Sequence, residues 1–356
     1  MADPLRVAAW NASLSRKGPG LLLRDIRSGD DAQIESVMLI MSRAAPDVIL
    51  LMDVDYDHDL VALNALRDRL ANFGLDYPYV FARRPNSGLP SGHDLDGNGR
   101  LGQARDAQGY GRFNGDGGMA ILSRFPLLDQ GVQDFSTLKW TGQAWATPPP
   151  TAKIITARAA ADAQRLSSVG HWVVPVQVGG TVISLLAWHA TPPVFDGPED
   201  RNGLRNRDEA RLWLQYLDGK LGTAPDGPVI VIGGANADPS DGEARREALN
   251  ALLNHPRLQD PQPRGRGDLY ANAGHLGDPA LDTVDWDDPA PGNLRVDYIL
   301  PSKDLHLDNA GVFWPAPDDP MAKTAALASR HRLVWVDLDV DQAGTAPSTA
   351  IASPSR

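Results

Sequence analysis

The sequence predicts an α/β fold in which two β-sheets pack face to face with helices outside. Three observations predict it. Short apolar strands recur from the first residues almost to the last, a few amphipathic helical segments interleave with them, and no internal repeat is present. Length alone, 356 residues, suggests two domains, but a two-layer sheet core with flanking helices uses this length as one unit. The expected domain runs over residues 1–341, and the Ala/Ser/Thr/Pro-rich residues 342–356 read as a disordered tail.

Leu5 to Asn11 reads as a strand that ends on a polar residue. Asp31 to Ala45 carries apolar side chains at helical spacing, and Pro46-Asp47 resets the chain into the apolar run Val48 to Met52, the pattern of a buried central strand. Val61 to Phe73 is a second helix, closed by Gly74. Arg84 to Gly118 is a long Gly/Asn/Asp-rich loop, and Met119 to Ser123 a strand. Gln130 to Ala163 is irregular, after which Trp172–Val178 and Thr181–Trp188 pair as a hairpin. A helix is expected over Asp208–Leu221, and strands over Val229–Gly233, Arg295–Leu300 and Leu333–Val340.

Composition narrows the chemistry. The net charge is −11 and the pI about 5.1, which argues against polynucleotide partners, since their affinity comes largely from phosphate neutralisation. Cysteine is absent, which excludes disulfides, thiolate metal sites and a thiol nucleophile. No apolar run reaches membrane-span length, and the chain enters a strand at once without a signal peptide, so a cytoplasmic protein is expected, or a secreted parent with its leader removed. Of 34 basic residues only 6 are lysines.

Five motifs then stand at strand ends: Trp10-Asn11; Pro46 to Val54; Ala187-Trp188-His189; Gly233-Gly234-Ala235-Asn236; and Arg295-Val296-Asp297-Tyr298, followed by Ser329-Arg330-His331. In this order the chain resembles the endonuclease/exonuclease/phosphatase superfamily from about Leu5 to Leu338, and a bacterial branch of it through His189 to Gly197. The resemblance implies a four-layer sandwich of two mixed sheets flanked by helices and a Mg²⁺-assisted phosphoesterase centre. It makes His331 the phosphate-side histidine, Asp297 its orienting partner, His189 a second acid/base group, and Asn11 and Asn236 ligands of phosphate or metal.

The sequence departs from that pattern where the metal chemistry lies. Met52-Asp53-Val54 stands for Gln-Glu-Val, Gly233-Gly234-Ala235-Asn236 for Gly-Asp-Phe/Leu-Asn, Ser329-Arg330-His331 for Ser-Asp-His, and Trp188 precedes His189. Mg²⁺ needs oxygen ligands, so the expectation is that no metal is held and that phosphoesterase activity is weak. The leading reading is a centre dismantled and rebuilt, naturally or by design, as an apolar pocket walled by Trp10 and Trp188 and opened by Gly234, Ala235 and Ala190. Its partner would be a small uncharged aromatic molecule, with Asp53 as general base or with Lys139 or Lys153 as a Schiff-base amine. The rival readings are a residual Mg²⁺-dependent phosphoesterase acting on small phosphates and a non-catalytic scaffold. Asp94-Leu95-Asp96-Gly97-Asn98-Gly99 resembles the start of a calcium loop, but Arg105 at the twelfth position favours a solvated turn. His58, His93, His171, His255, His275 and His306 read as structural or surface residues.

Overall fold

The computed structural model describes residues 4–149 and 158–340. In chain order the strands are β1 (Leu5–Leu14), β2 (Val48–Val54), β3 (Tyr79–Phe81), β4 (Gly118–Ser123), β5 (Gln133–Asp134), β6 (Gly170–Val178), β7 (Thr181–His189), β8 (Val229–Gly234), β9 (Val284–Asp285), β10 (Asn293–Leu294), β11 (Asp297–Pro301), β12 (His306–Val312) and β13 (Val334–Asp339). The helices are α1 (Leu21–Ser28), α2 (Ala32–Ala44), α3 (Val61–Ala71), α4 (Arg158–Ala163), α5 (Arg201–Leu217), α6 (Glu247–Leu253) and α7 (Ala322–Ala328). One sheet runs β12-β13-β1-β2-β4-β3, the other β11-β8-β7-β6-β5, and β9 and β10 form a separate ribbon. Both large sheets are mixed, since β1 pairs parallel with β2 and β7 with β8 while their other neighbours are antiparallel.

The period-2 alternation of a strand sorts side chains between faces. On β1, Ala8, Trp10, Ala12 and Leu14 enter the layer formed with α1, α2, α3 and α7, while Leu5, Val7 and Ala9 enter the seam between the sheets. On β2, Ile49 and Leu51 take the helix side and Val48, Leu50 and Met52 the seam. This explains the unbroken apolar run, because both faces of a central strand are covered. The second sheet sends Ile183, Leu185, Ala187, Ile230, Ile232 and Ile299 into the same seam, and turns Leu186, Trp188, Val229 and Val231 outward under α5 and α6. Burying each such side chain is worth roughly 1.5–3 kcal/mol, so the seam and the two outer layers hold the sandwich together.

Several elements differ from the expectations. α5 begins at Arg201, a full two turns before the predicted start, because its opening residues are buried polar ones: the Arg205 guanidinium donates to the carbonyls of Leu166 (2.8 Å) and Gln108 (2.6 Å). The short elements β3, β5, β9, β10, α1, α4, α6, α7 and the strand β12 were not predicted. Residues 150–157 and 341–356 lie outside the described residues, and with them Lys153 and the expected tail.

Candidate active site

Parity decides what meets at the end of the seam. Asn11 continues the Val7–Ala9 face, His189 the Leu185–Ala187 face, Gly234 the Ile230–Ile232 face, and Asp297 the face of Ile299. β11 runs antiparallel to β8, with Asp297 opposite Gly234, and β7 runs parallel to β8, with His189 opposite Gly234. β1 and β2 pair Asn11 with Met52, which sets Asp53 at the neighbouring strand end. A Cβ built on Gly234 would meet His189 Cδ2 at 2.9 Å, Met52 Sδ at 3.2 Å and Asp297 Oδ1 at 3.3 Å. The ends of both sheets therefore converge on one point.

At that point Asp297 is 1% exposed, and its Oδ2 accepts a 2.7 Å hydrogen bond from His331 Nδ1. The bond fixes the tautomer, so Nε2 of His331 is the nitrogen left to exchange a proton. The His331 backbone is pinned as well: its carbonyl accepts from Trp10 Nε1 (3.0 Å) and its N–H donates to Ser329 Oγ (3.0 Å). Asp297 Oδ1 and His189 Nδ1 are buried with no hydrogen-bond partner in the structure. Burial holds the His189 imidazole neutral, lowering it to about 4, with Asp297 opposing and His331 adding to the shift. Asp53 is half-buried in a left-handed conformation (φ 57°) and is pushed up to about 6 by desolvation, then by Asp116 and Asp55, against the pull of His331 and Arg16. Asn236, also left-handed (φ 49°), donates from Nδ2 to the Ala190 carbonyl at 2.7 Å.

Four of the predicted ligand-pocket residues do not wall a pocket. Trp10 is buried in the helix layer of the first sheet and Trp188 in the outer layer of the second, 1% exposed each and on opposite sides of the molecule's central seam. They precede Asn11 and His189 by one residue, and neighbours on a strand face opposite ways. Ala190 and Ala235 are buried in that same outer layer. Lys139 is exposed and donates from Nζ to the Ala163 carbonyl at 2.7 Å, in the surface segment before β6. A cavity of about 360 Å³ does open beside Asp55, lined by Leu22, Leu23, Tyr56, Val61 and Phe113 among others, with neither Trp10 nor Trp188 in its wall.

Two features were missed by the sequence reading. Trp286, the residue directly after β9, stands edge-on to the His331 ring at 5.5 Å, and the half-exposed Arg330 guanidinium lies 5.6 Å over the same indole while pairing with Asp287. Trp286 sits in a polar stretch without periodicity, so nothing local marks it. In the 94–106 loop, Asp94, Asp96 and Asp106 bring carboxylate oxygens within 4.8 Å of one another, the third acid being the thirteenth residue rather than the twelfth. Asp94 meanwhile accepts from the N–H groups of Gly97 and Gly99, each at 2.7 Å, as a turn residue does.

Among the described residues no helix is long and apolar enough to cross a membrane. The fold is shared with an endonuclease/exonuclease/phosphatase from Beutenbergia cavernae DSM 12333 (17% identity, 95% of this chain and 72% of that one, TM-score 0.55). It is shared also with a family protein from Leptotrichia buccalis C-1013-b (14%, 94% and 99%, TM-score 0.51). A third such structure is D. rerio TDP2 complexed with a single strand DNA product (14%, 95% and 100%, TM-score 0.51). That complex corrects the expectation that a small uncharged aromatic molecule, and no nucleic acid, is the partner: the same fold accommodates DNA, and a net charge summed over the whole chain does not describe one cleft. No curated protein sequence matches the chain. The family model for the endonuclease/exonuclease/phosphatase family matches residues 8–346, and the chain belongs to that family.

Proposed function

We propose that the strand-end cluster is a phosphoesterase centre acting on phosphodiesters, with single-stranded nucleic acid as the substrate class. The observation that carries this reading is the buried Asp297–His331 pair at 2.7 Å, set at the seam mouth with Asp53 and His189. A buried carboxylate that orients an imidazole makes the far nitrogen an effective proton carrier. The residues also suit Mg²⁺ of the kind that keeps most of its water and takes one or two carboxylates. Asp53 and Asn11 would hold it, and the crowding of Asp53 by Asp55 and Asp116 is the excess of negative charge that a cation relieves. When bound, that ion supplies charge neutralisation at the phosphate.

The chain's own groups do the rest. His331 Nε2 takes the proton that the attacking water loses, or gives one to the leaving oxygen, while Asp297 stabilises the imidazolium. Neutral His189 and the Asn236 amide offer hydrogen bonds to phosphate oxygens. Trp286 supplies a face on which an unpaired base stacks, and Arg330 beside it meets the adjoining phosphate. Gly234 leaves no carboxylate to orient water, which keeps the rate low. The test is hydrolysis of a single-stranded oligonucleotide, the corresponding duplex and bis(p-nitrophenyl) phosphate, with Mg²⁺ and with EDTA. Mg²⁺-dependent cleavage that favours the single strand is expected, and cleavage confined to small phosphate monoesters would overturn the substrate class.

A further inference from the structure

A second group of ionisable side chains lies in the segment between β8 and β9, next in sequence to Thr283, which bonds the backbone of Asp297. Asp282 is 1% exposed and its Oδ2 makes no hydrogen bond. It faces His275 Nε2 at 3.5 Å, a nitrogen that is also buried and without a hydrogen-bond partner. The other nitrogen of that ring, Nδ1, lies 3.6 Å from Asp241 Oδ2. Asp241 is itself held in place by the backbone N–H groups of Leu276 (2.9 Å) and Gly277 (2.8 Å). The His275 side chain is only 6% exposed.

Charge around Asp282 does not balance. Burial, then Asp238, Asp241 and Asp278, push its carboxyl up to about 8, and Arg295 opposes them only in part. Arg295 is committed to Asp260, and Arg264 to Asp278. A buried carboxylate in this position needs a proton or a cation.

The spacing leaves room for an ion. Two donors bonded at about 2.0–2.2 Å to one tetrahedral ion stand about 3.4 Å apart, and the two unpartnered atoms stand 3.5 Å apart, beyond the roughly 2.7–2.9 Å of a direct charge-assisted hydrogen bond. A carboxylate on the far ring nitrogen is the usual second partner of a metal-binding histidine, fixing its tautomer.

We propose that His275 Nε2 and Asp282 Oδ2 bind a divalent transition ion, Zn²⁺ by the nature of the donors, with water completing the coordination. Asp241, now 3.6 Å from Nδ1, is the carboxylate that the far ring nitrogen would turn to once the ion is bound. The role is structural. Thr283 follows Asp282, and its Oγ1 accepts the N–H groups of Val296 and Asp297, each at 3.0 Å. An ion on Asp282 therefore braces the backbone that presents Asp297 to His331. This site is separate from the strand-end centre and does not depend on the phosphoesterase reading.

The test is titration of the chelator-treated, full-length protein with Zn²⁺ alone, read by calorimetry and by the thermal midpoint. The wild type, Asp53→Asn and Asp94→Asn should share one binding event and a rise in midpoint. His275→Ala and Asp282→Asn should lose both, and Asp241→Asn should bind about ten- to hundredfold more weakly. Unchanged binding in His275→Ala and Asp282→Asn, or no binding by the wild type, would overturn the proposal. Should those variants fail to fold, anomalous diffraction from zinc-soaked wild-type crystals decides: a peak about 2.1 Å from both His275 Nε2 and Asp282 Oδ2 supports the site, and an empty map there refutes it.

Discussion

Asp53 shows how one side chain couples position to protonation. Its strand end leaves it half-buried beside Asp55 and Asp116, and its carboxyl titrates near 6 instead of 3.8. Below that value it is neutral and can neither hold a cation nor accept a proton. Hydrolysis should therefore rise as pH climbs through about 6, and saturating Mg²⁺ should move that limb to lower pH, because cation and proton compete for the same oxygens. In Asp53→Asn the limb should vanish; its survival at the same midpoint would assign it to another group. Stability follows the opposite sign. A folded value above the ordinary one gives stability that is complete below 3.8 and lost as pH rises through about 6. Asp53→Asn should accordingly gain stability relative to the wild type above pH 6, measured by denaturant unfolding across the window, and no relative gain would contradict the shift.

At the scale of the element, the end of β8 carries two adjacent glycines with different duties. Gly233 has φ 146°, and a Cβ there would sit 1.8 Å from the Trp188 carbonyl oxygen, a backbone atom of the neighbouring strand that cannot yield. Gly234 is crowded only by the side chains of His189, Met52 and Asp297, at 2.9–3.3 Å. Gly233→Ala should cost more than about 3 kcal/mol or prevent folding, whereas Gly234→Ala should cost about 1–2 kcal/mol as those side chains adjust. Equal costs would mean that the strand end is not as tight as described. The sequence held the information for the face of each strand, since alternation along β1 and β7 separates Trp10 from Asn11 and Trp188 from His189. Treating each motif as a unit, indole included, put both indoles in the site and produced a pocket that the fold does not build. Two-residue strands such as β9 and β10 were not legible, because they are too short to show a period, and Trp286 went unnoticed with them.

For the whole molecule, the long apolar runs and the order of the strand-end motifs were enough to read the two-sheet sandwich and the residues that meet at its seam. What they could not give was electrostatics. A net charge of −11 says little about the local surface where the Arg330 guanidinium lies over Trp286, and the sign of the sum misdirected the choice of partner. The central claim is that the seam mouth is a phosphoesterase centre built on His331–Asp297 and weakened by the missing carboxylate at position 234. One measurement tests it most directly: kcat/KM for Mg²⁺-dependent hydrolysis of bis(p-nitrophenyl) phosphate by the wild type, His331→Ala and Gly234→Asp, compared in a single assay. Loss of about 10²–10⁴-fold in His331→Ala and a clear gain in Gly234→Asp are predicted. Turnover unchanged by His331→Ala, with no gain from Gly234→Asp, would contradict the account.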